Sequence, residues 1–97
     1  MKYVNIVFEY DYNDVDIIAV PDWICGVITD LSQQFCDWLG RTAFFTEEMP
    51  DGRQVTVCET EGFVYWLNEQ VLSESEEKAF ILKEHTTFCK DYYTVDF

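Results

Sequence analysis

At Pro21 the hydrophobic period of the chain changes, and that change sets the class of fold. Before it, residues 2–10 alternate, with Val4, Ile6, Phe8 and Tyr10 on one side and Tyr3, Asn5, Val7 and Glu9 on the other. A period of two is the mark of a half-buried strand. Asp11-Tyr12-Asn13-Asp14 supplies turn chemistry, and the β-branched run Val15–Val20 reads as a second strand, so the opening unit is a β-hairpin. Beyond Pro21, the residues Ile24, Val27, Ile28, Leu31, Phe35, Trp38 and Leu39 recur at spacings of three and four. That stripe predicts a helix over 21–39. Pro21 suits its first position, Asp22 its positively polarised first turn, and Gly40 its C-terminus.

The same pair of patterns returns in the second half. Thr42–Thr46 and Gln54–Cys58 read as arms of a second hairpin, joined by the turn signal Met49-Pro50-Asp51-Gly52. Thr60 is placed to cap a second helix over about 61–72, carried by Phe63, Val64, Trp66, Leu67 and Val71. Lys78–Lys83 is compatible with a strand or a helical turn, and strand is the favoured reading. The aromatic tail with Tyr92, Tyr93, Val95 and Phe97 predicts an edge strand or a segment packed on a face. The expected fold is α+β over residues 1–97 as one domain. It is an antiparallel sheet of two hairpins plus closing strand or strands, with two helices on one face, in the order ββαββαβ.

Charge bounds the partners. Nineteen acidic residues face six Lys plus Arg, a net charge of −13, while 48% of the 97 residues are hydrophobic. The apolar content is too high for a disordered acidic tail, so the charge belongs on the surface of a folded body. Such a surface lacks the basic patch that phosphate binding needs, and it is repelled by anionic lipid. No direct contact with nucleic acid or membrane is expected. A basic partner fits, such as a nucleic-acid-binding nuclease or effector complex, and solubility alone is the competing explanation. Met1–Asn5 runs straight into the first strand with no apolar leader, and no run is long enough to span a bilayer, so the expected location is cytoplasmic. Cys25, Cys36, Cys58 and Cys89 form no C-x-x-C pair, which disfavours zinc. Cys25 and Cys36 would lie about 16 Å apart on one helix, too far for a disulfide. The thiols read as reduced and mainly as small hydrophobes.

Catalytic patterns are sparse. His85 is the single histidine, and no nucleophile motif, phosphate loop or dinucleotide glycine pattern surrounds it. A Cys–His pair is formally available, as is acid–base work by neighbours such as Glu47 and Glu48. Acid neighbours arise by chance in so acidic a chain, and the reading is non-enzymatic, with no catalytic residue and no cofactor. Asp11-x-Asn13 with Asp14 and Asp16 has the flavour of a calcium loop. Asp16 stands where the required glycine would be and Val15 at a ligand position, so no metal is expected.

The acidic residues fall into three groups at turns. The first is Asp11, Asp14, Asp16 and Asp22, with Glu9 beside it and Tyr12 as an aromatic anchor. The second is Glu47, Glu48 and Asp51; the third is Glu74, Glu76 and Glu77. Carboxylates held on a rigid frame can stand in for nucleic-acid phosphates before Lys and Arg side chains built to grip DNA. Trp23, off the helical stripe, and the tyrosines Tyr10, Tyr65, Tyr92 and Tyr93 add interface-type aromatics.

In size, acidity and αβ make-up, with the groups Asp11–Asp22, Glu47–Asp51 and Glu74–Glu77, the chain resembles the small inhibitors carried by phages and mobile elements. Those include the anti-CRISPR and anti-restriction proteins. The resemblance implies an intracellular inhibitor that occupies the nucleic-acid site of an effector. Toxin-neutralising immunity proteins share the same character, so an acidic module for another basic protein stands beside it. The resemblance is one of character, and it transfers no individual residue role.

Overall fold

The computed structural model describes residues 1–41, 46–48, 50–52, 54–56 and 58–97, with 46–48 and 54–56 described by backbone alone. The opening hairpin forms as its alternation predicts. Strand β1 (Lys2–Val7) pairs antiparallel with β2 (Val15–Val20) in the register Val4↔Ile18 and Ile6↔Asp16. β1 ends at Val7, short of the alternation through Tyr10. Val4, Ile6, Ile18 and Val20 point into the main core against the helices. Val7, Val15 and Ile17 join a second, smaller core with Phe88 and Tyr92. The apolar run Ile17–Val20 therefore reflects burial on both faces of β2.

The helical stripe folds as two pieces. α1 (Asp22–Cys25) is a single turn following Pro21, and α2 (Ile28–Leu39) carries the stripe proper, with Ile28, Leu31, Phe35 and Leu39 buried. Gly26 and the non-helical Val27 (φ −126°, ψ 12°) separate them. Gly has a poor helix propensity and Val a stiff χ1, and Val27 and Trp23 are left exposed. Cys25 and Cys36 thus belong to different helices. Gly40 ends α2 without leaving the right-handed region (φ −66°), and the Arg41 Nε donates to the Asp37 carbonyl at 3.2 Å.

β3 (Thr46–Glu48) and β4 (Gln54–Thr56) pair antiparallel around a turn in which Gly52 has φ 88°. The first arm's residues 42–45, and with them Met49 in the turn, lie outside the described residues. α3 (Thr60–Trp66) continues into a π-helical turn, Leu67–Val71, closed by the Leu72 N–H on the Leu67 carbonyl at 2.8 Å. Glu59, not Thr60, occupies the N-cap. Phe35 of α2 lies at the centre of the core, with ring centroids 5.2 Å from Phe63, 5.8 Å from Trp66 and 5.9 Å from Phe97.

The sheet differs from the expected one in two respects. Its strand order is β5-β2-β1-β6, where β5 is Phe80–Thr86 and β6 is Tyr93–Asp96. β6 runs parallel to β1 (Val4↔Tyr93, Ile6↔Val95), so the sheet is mixed. The β3–β4 hairpin forms its own two-stranded sheet and does not extend the first. The order is accordingly ββααββαββ, with both closing strands present. Parallel pairing requires the chain to return from the end of β5 to the start of β6. Residues 87–92 do this by crossing the sheet face away from the helices. Three strand spacings and about 10 Å of backtracking make a diagonal of roughly 17 Å, within the reach of about 23 Å for seven extended residue steps.

Candidate functional site

The turn after β1 sets the entrance to the site. Glu9 and Tyr10 both have positive φ (54° and 58°), and the Asp11 N–H donates to the Phe8 carbonyl at 3.0 Å. The Asp11 carboxylate then accepts the Asn13 N–H at 3.1 Å, an Asx turn that leads into Asp14 and β2.

On β5 the ladder is irregular. Val15 pairs with Thr86, yet Ile17 pairs with Lys83, so the two β2 steps across Asp16 face three β5 steps across Glu84 and His85. A bulge of this kind removes a backbone N–H from the ladder, and a group elsewhere must satisfy it. Asp16 does so: one carboxylate oxygen accepts the His85 N–H at 3.1 Å, and the other accepts the Thr60 hydroxyl at 2.5 Å. His85 adopts φ 50°, uncommon for a residue with a side chain. Its ring Nδ1 lies 2.9 Å from Asp14 Oδ1. The hydrogen bond to Asp14, its charge and those of Asp16 and Glu84 hold the imidazole pKa above its ordinary value.

These contacts join β2, the start of α3 and β5 around a groove of about 390 Å³. Asp16, Glu59, Glu61 and Glu84 line it together with Phe8, Cys58, Thr60 and His85. Among the described residues no Lys or Arg lines it. Asp14 and Asp16 of the expected first group belong here. Glu59, Glu61, Glu84 and His85 were absent from the sequence-derived site. Their partners are distant in the chain, 44 residues for Thr60–Asp16 and 71 for His85–Asp14, so no local pattern signals them.

Asp22 belongs elsewhere. About 13 Å of strand, from Asp16 to Val20, and then Pro21 separate it from Asp16, and it pairs with the Met1 amine at 3.0 Å. That hydrogen bond and the amine's charge lower its carboxyl pKa. Tyr12 is 40% exposed, but its hydroxyl donates to Asp96 at 2.9 Å and its ring packs edge-on against Phe88. Tyr10, at 81%, is the more exposed ring of this turn. Glu47 and Glu48 sit on β3 opposite Val55 and Gln54, with side chains outside the described residues, and Asp51 is exposed in the following turn. Glu74, Glu76 and Glu77 are exposed between the π turn and β5, at the end of β5 away from His85. There Lys78 folds back, its ammonium donating to the Leu72 and Ser73 carbonyls at the helix end.

Among the described residues no helix is long and apolar enough to cross a membrane. Compared with protein-family models, with characterised proteins and with solved structures, the chain shows no significant match to any of them.

Proposed function

We propose that the protein is a non-enzymatic intracellular binding module that offers its carboxylate-lined groove to a basic, nucleic-acid-binding protein, and so inhibits it as an anti-CRISPR or anti-restriction protein does. The observation that carries this reading is the convergence of Asp16, Glu59, Glu61 and Glu84, from three separated segments, on one groove whose described lining residues include no Lys or Arg. Like charges repel, and gathering them costs stability. Here the fold sustains the gathering by anchoring Asp16 through Thr60 and the His85 N–H. A preorganised anionic groove limits the ordering cost when Lys and Arg side chains dock.

His85 and Cys58 share the groove, and Asp14 orients the imidazole, which is the outline of a nucleophilic site. The surrounding charge opposes that chemistry. Poor solvation, Cys36 and Glu59 all raise the Cys58 thiol pKa, so the thiolate a nucleophile needs is disfavoured.

The test is competition. Purified protein is titrated against duplex DNA for binding to CRISPR nucleases and restriction endonucleases, between 50 and 500 mM salt. Competition that weakens steeply with salt is expected, because exposed charges are screened beyond about 8 Å at physiological ionic strength. The triple reversal Glu59→Lys, Glu61→Lys and Glu84→Lys should abolish it, while reversal of Glu74, Glu76 and Glu77 should not. Salt-dependent binding to a basic protein without DNA competition would favour an immunity-type module. Binding indifferent to both reversals would leave the acidity to solubility and end the mimicry reading.

A further inference from the structure

Beside the acidic groove lies a second cavity, of about 550 Å³, lined by Phe8, Glu9, Cys36, Cys58 and Phe97. Its wall is the stacked pair Phe8 and Phe97, with ring centroids 5.4 Å apart. Two of the described lining residues are free cysteines, one from α2 and one from the segment leading into α3, and both are exposed. The expectation that the cysteines act as small hydrophobes holds for Cys25, which is buried in the main core, but not for this pair.

We propose that Cys36 and Cys58 form a dithiol modification site, oxidised to an intramolecular disulfide by small disulfide oxidants of the glutathione class. One thiolate attacks a sulfur of the oxidant, forming a mixed disulfide and releasing one equivalent of oxidant thiolate. The other cysteine's thiolate then attacks the protein sulfur of that mixed disulfide and expels the second equivalent. The two protons lost by the cysteines go to the two released thiolates, so one oxidant disulfide becomes two thiols. The bond would tie α2 to the start of α3 and close residues 37–57 into a loop. That loop contains the β3–β4 hairpin, whose strands, among the described residues, pair with each other and not with the main sheet. Cross-linking it restricts the unfolded chain and raises stability.

Desolvation raises the thiol pKa of both residues, so the reaction is slow at neutral pH and accelerates as pH rises. The test incubates the reduced full-length chain with oxidised glutathione at pH 7.0 and 8.5 (roughly a thirtyfold span in thiolate fraction), followed by non-reducing peptide mass mapping. The expected product is a monomer lighter by two hydrogens, with a Cys36–Cys58 linkage, a higher melting temperature and faster formation at pH 8.5. In Cys36→Ser, Cys58 should stop at the glutathione mixed disulfide, and Cys36 should do the same in Cys58→Ser. Circular dichroism confirms that both variants fold. Absence of oxidation, linkage through Cys25 or Cys89, or predominant inter-chain dimers would each overturn the proposal.

Discussion

The side chain of Asn5 clasps the backbone of Cys89, donating to its carbonyl at 2.8 Å and accepting its N–H at 3.1 Å. Asn5 is completely buried in β1, and Cys89 lies mid-way along the segment that returns the chain to β6. The amide thus supplies the hydrogen bonds that a neighbouring strand would have supplied. Asn68 repeats the device on Ala79, with bonds of 2.9 and 2.8 Å just before β5. Removing either side chain orphans two peptide groups at roughly 1–3 kcal/mol each. Asn5→Ala is expected to lower the unfolding free energy by about 2–4 kcal/mol and to speed hydrogen exchange at the Cys89 amide. Urea unfolding indistinguishable from the parent would show that the clasp contributes nothing.

The turn after β1 offers a gain in stability. Glu9 and Tyr10 occupy φ values of 54° and 58°, the signs required by a type I′ turn, which favours Asn-Gly. Neither residue is suited to that region. Glu9→Asn with Tyr10→Gly should raise the unfolding free energy by about 1 kcal/mol. A lower thermal midpoint in the double variant would mean that the exposed Tyr10 ring contributes more than the strain costs.

His85 makes stability depend on pH in a definite direction. Its folded pKa is raised, first by the hydrogen bond to Asp14 and then by the charges of Asp14, Asp16 and Glu84. A raised cationic pKa means that the folded state holds the proton more tightly than the unfolded state. The contribution is fully present below the unfolded value of about 6.5 and is lost as pH rises through the folded value. The whole chain also gains stability on acidification as its negative charge falls, so the informative quantity is a difference. Parent minus His85→Gln stability should be largest below about pH 6.5 and decline above it. A flat difference across pH 5–9 would disconnect the imidazole from Asp14 in solution. On the non-enzymatic reading, binding by His85→Ala should equal that of the parent.

Several of these elements could be read from the chain because their causes are local. The alternation of β1, the stripe of α2, the glycine-containing turn at Asp51-Gly52 and the aromatic edge strand β6 each follow from neighbours a few residues apart. The parallel direction of β6 does not, because it depends on Asn5 meeting Cys89, 84 positions away. The break at Gly26–Val27 lay inside a stripe whose spacing was continuous, and only the exposure of Val27 distinguishes it. Grouping Asp22 with Asp16 followed sequence proximity, and the strand Ile17–Val20 carries the two to opposite ends of β2. The acidic groove was half legible: Asp14 and Asp16 were named, whereas Glu59, Glu61 and Glu84 join them only through the β5 bulge and the Thr60 contact.

That bulge makes Asp16 unlike the other acids of its group. Reversing Asp11, Asp14 and Asp16 together is a poor probe of the first acidic group, because Asp16 is only partly exposed and both its oxygens are engaged. Thr60, one of its donors, is 4% exposed. Asp16→Ala would leave a buried hydroxyl and a bulge N–H without their acceptor, and hydrogen bonds to a charged group contribute about 1.5–3 kcal/mol. A loss of about 3 kcal/mol is expected, with faster exchange at the His85 amide. Asp16→Asn keeps one acceptor oxygen and should lose less, while Glu74→Lys and Glu61→Lys, at exposed positions, should shift stability by no more than about 0.5 kcal/mol. Chemical denaturation of the four variants separates the cases. If Asp16→Ala proves as mild as Glu74→Lys, the carboxylate is not the anchor that joins β2, α3 and β5, and the groove's preorganisation must come from elsewhere.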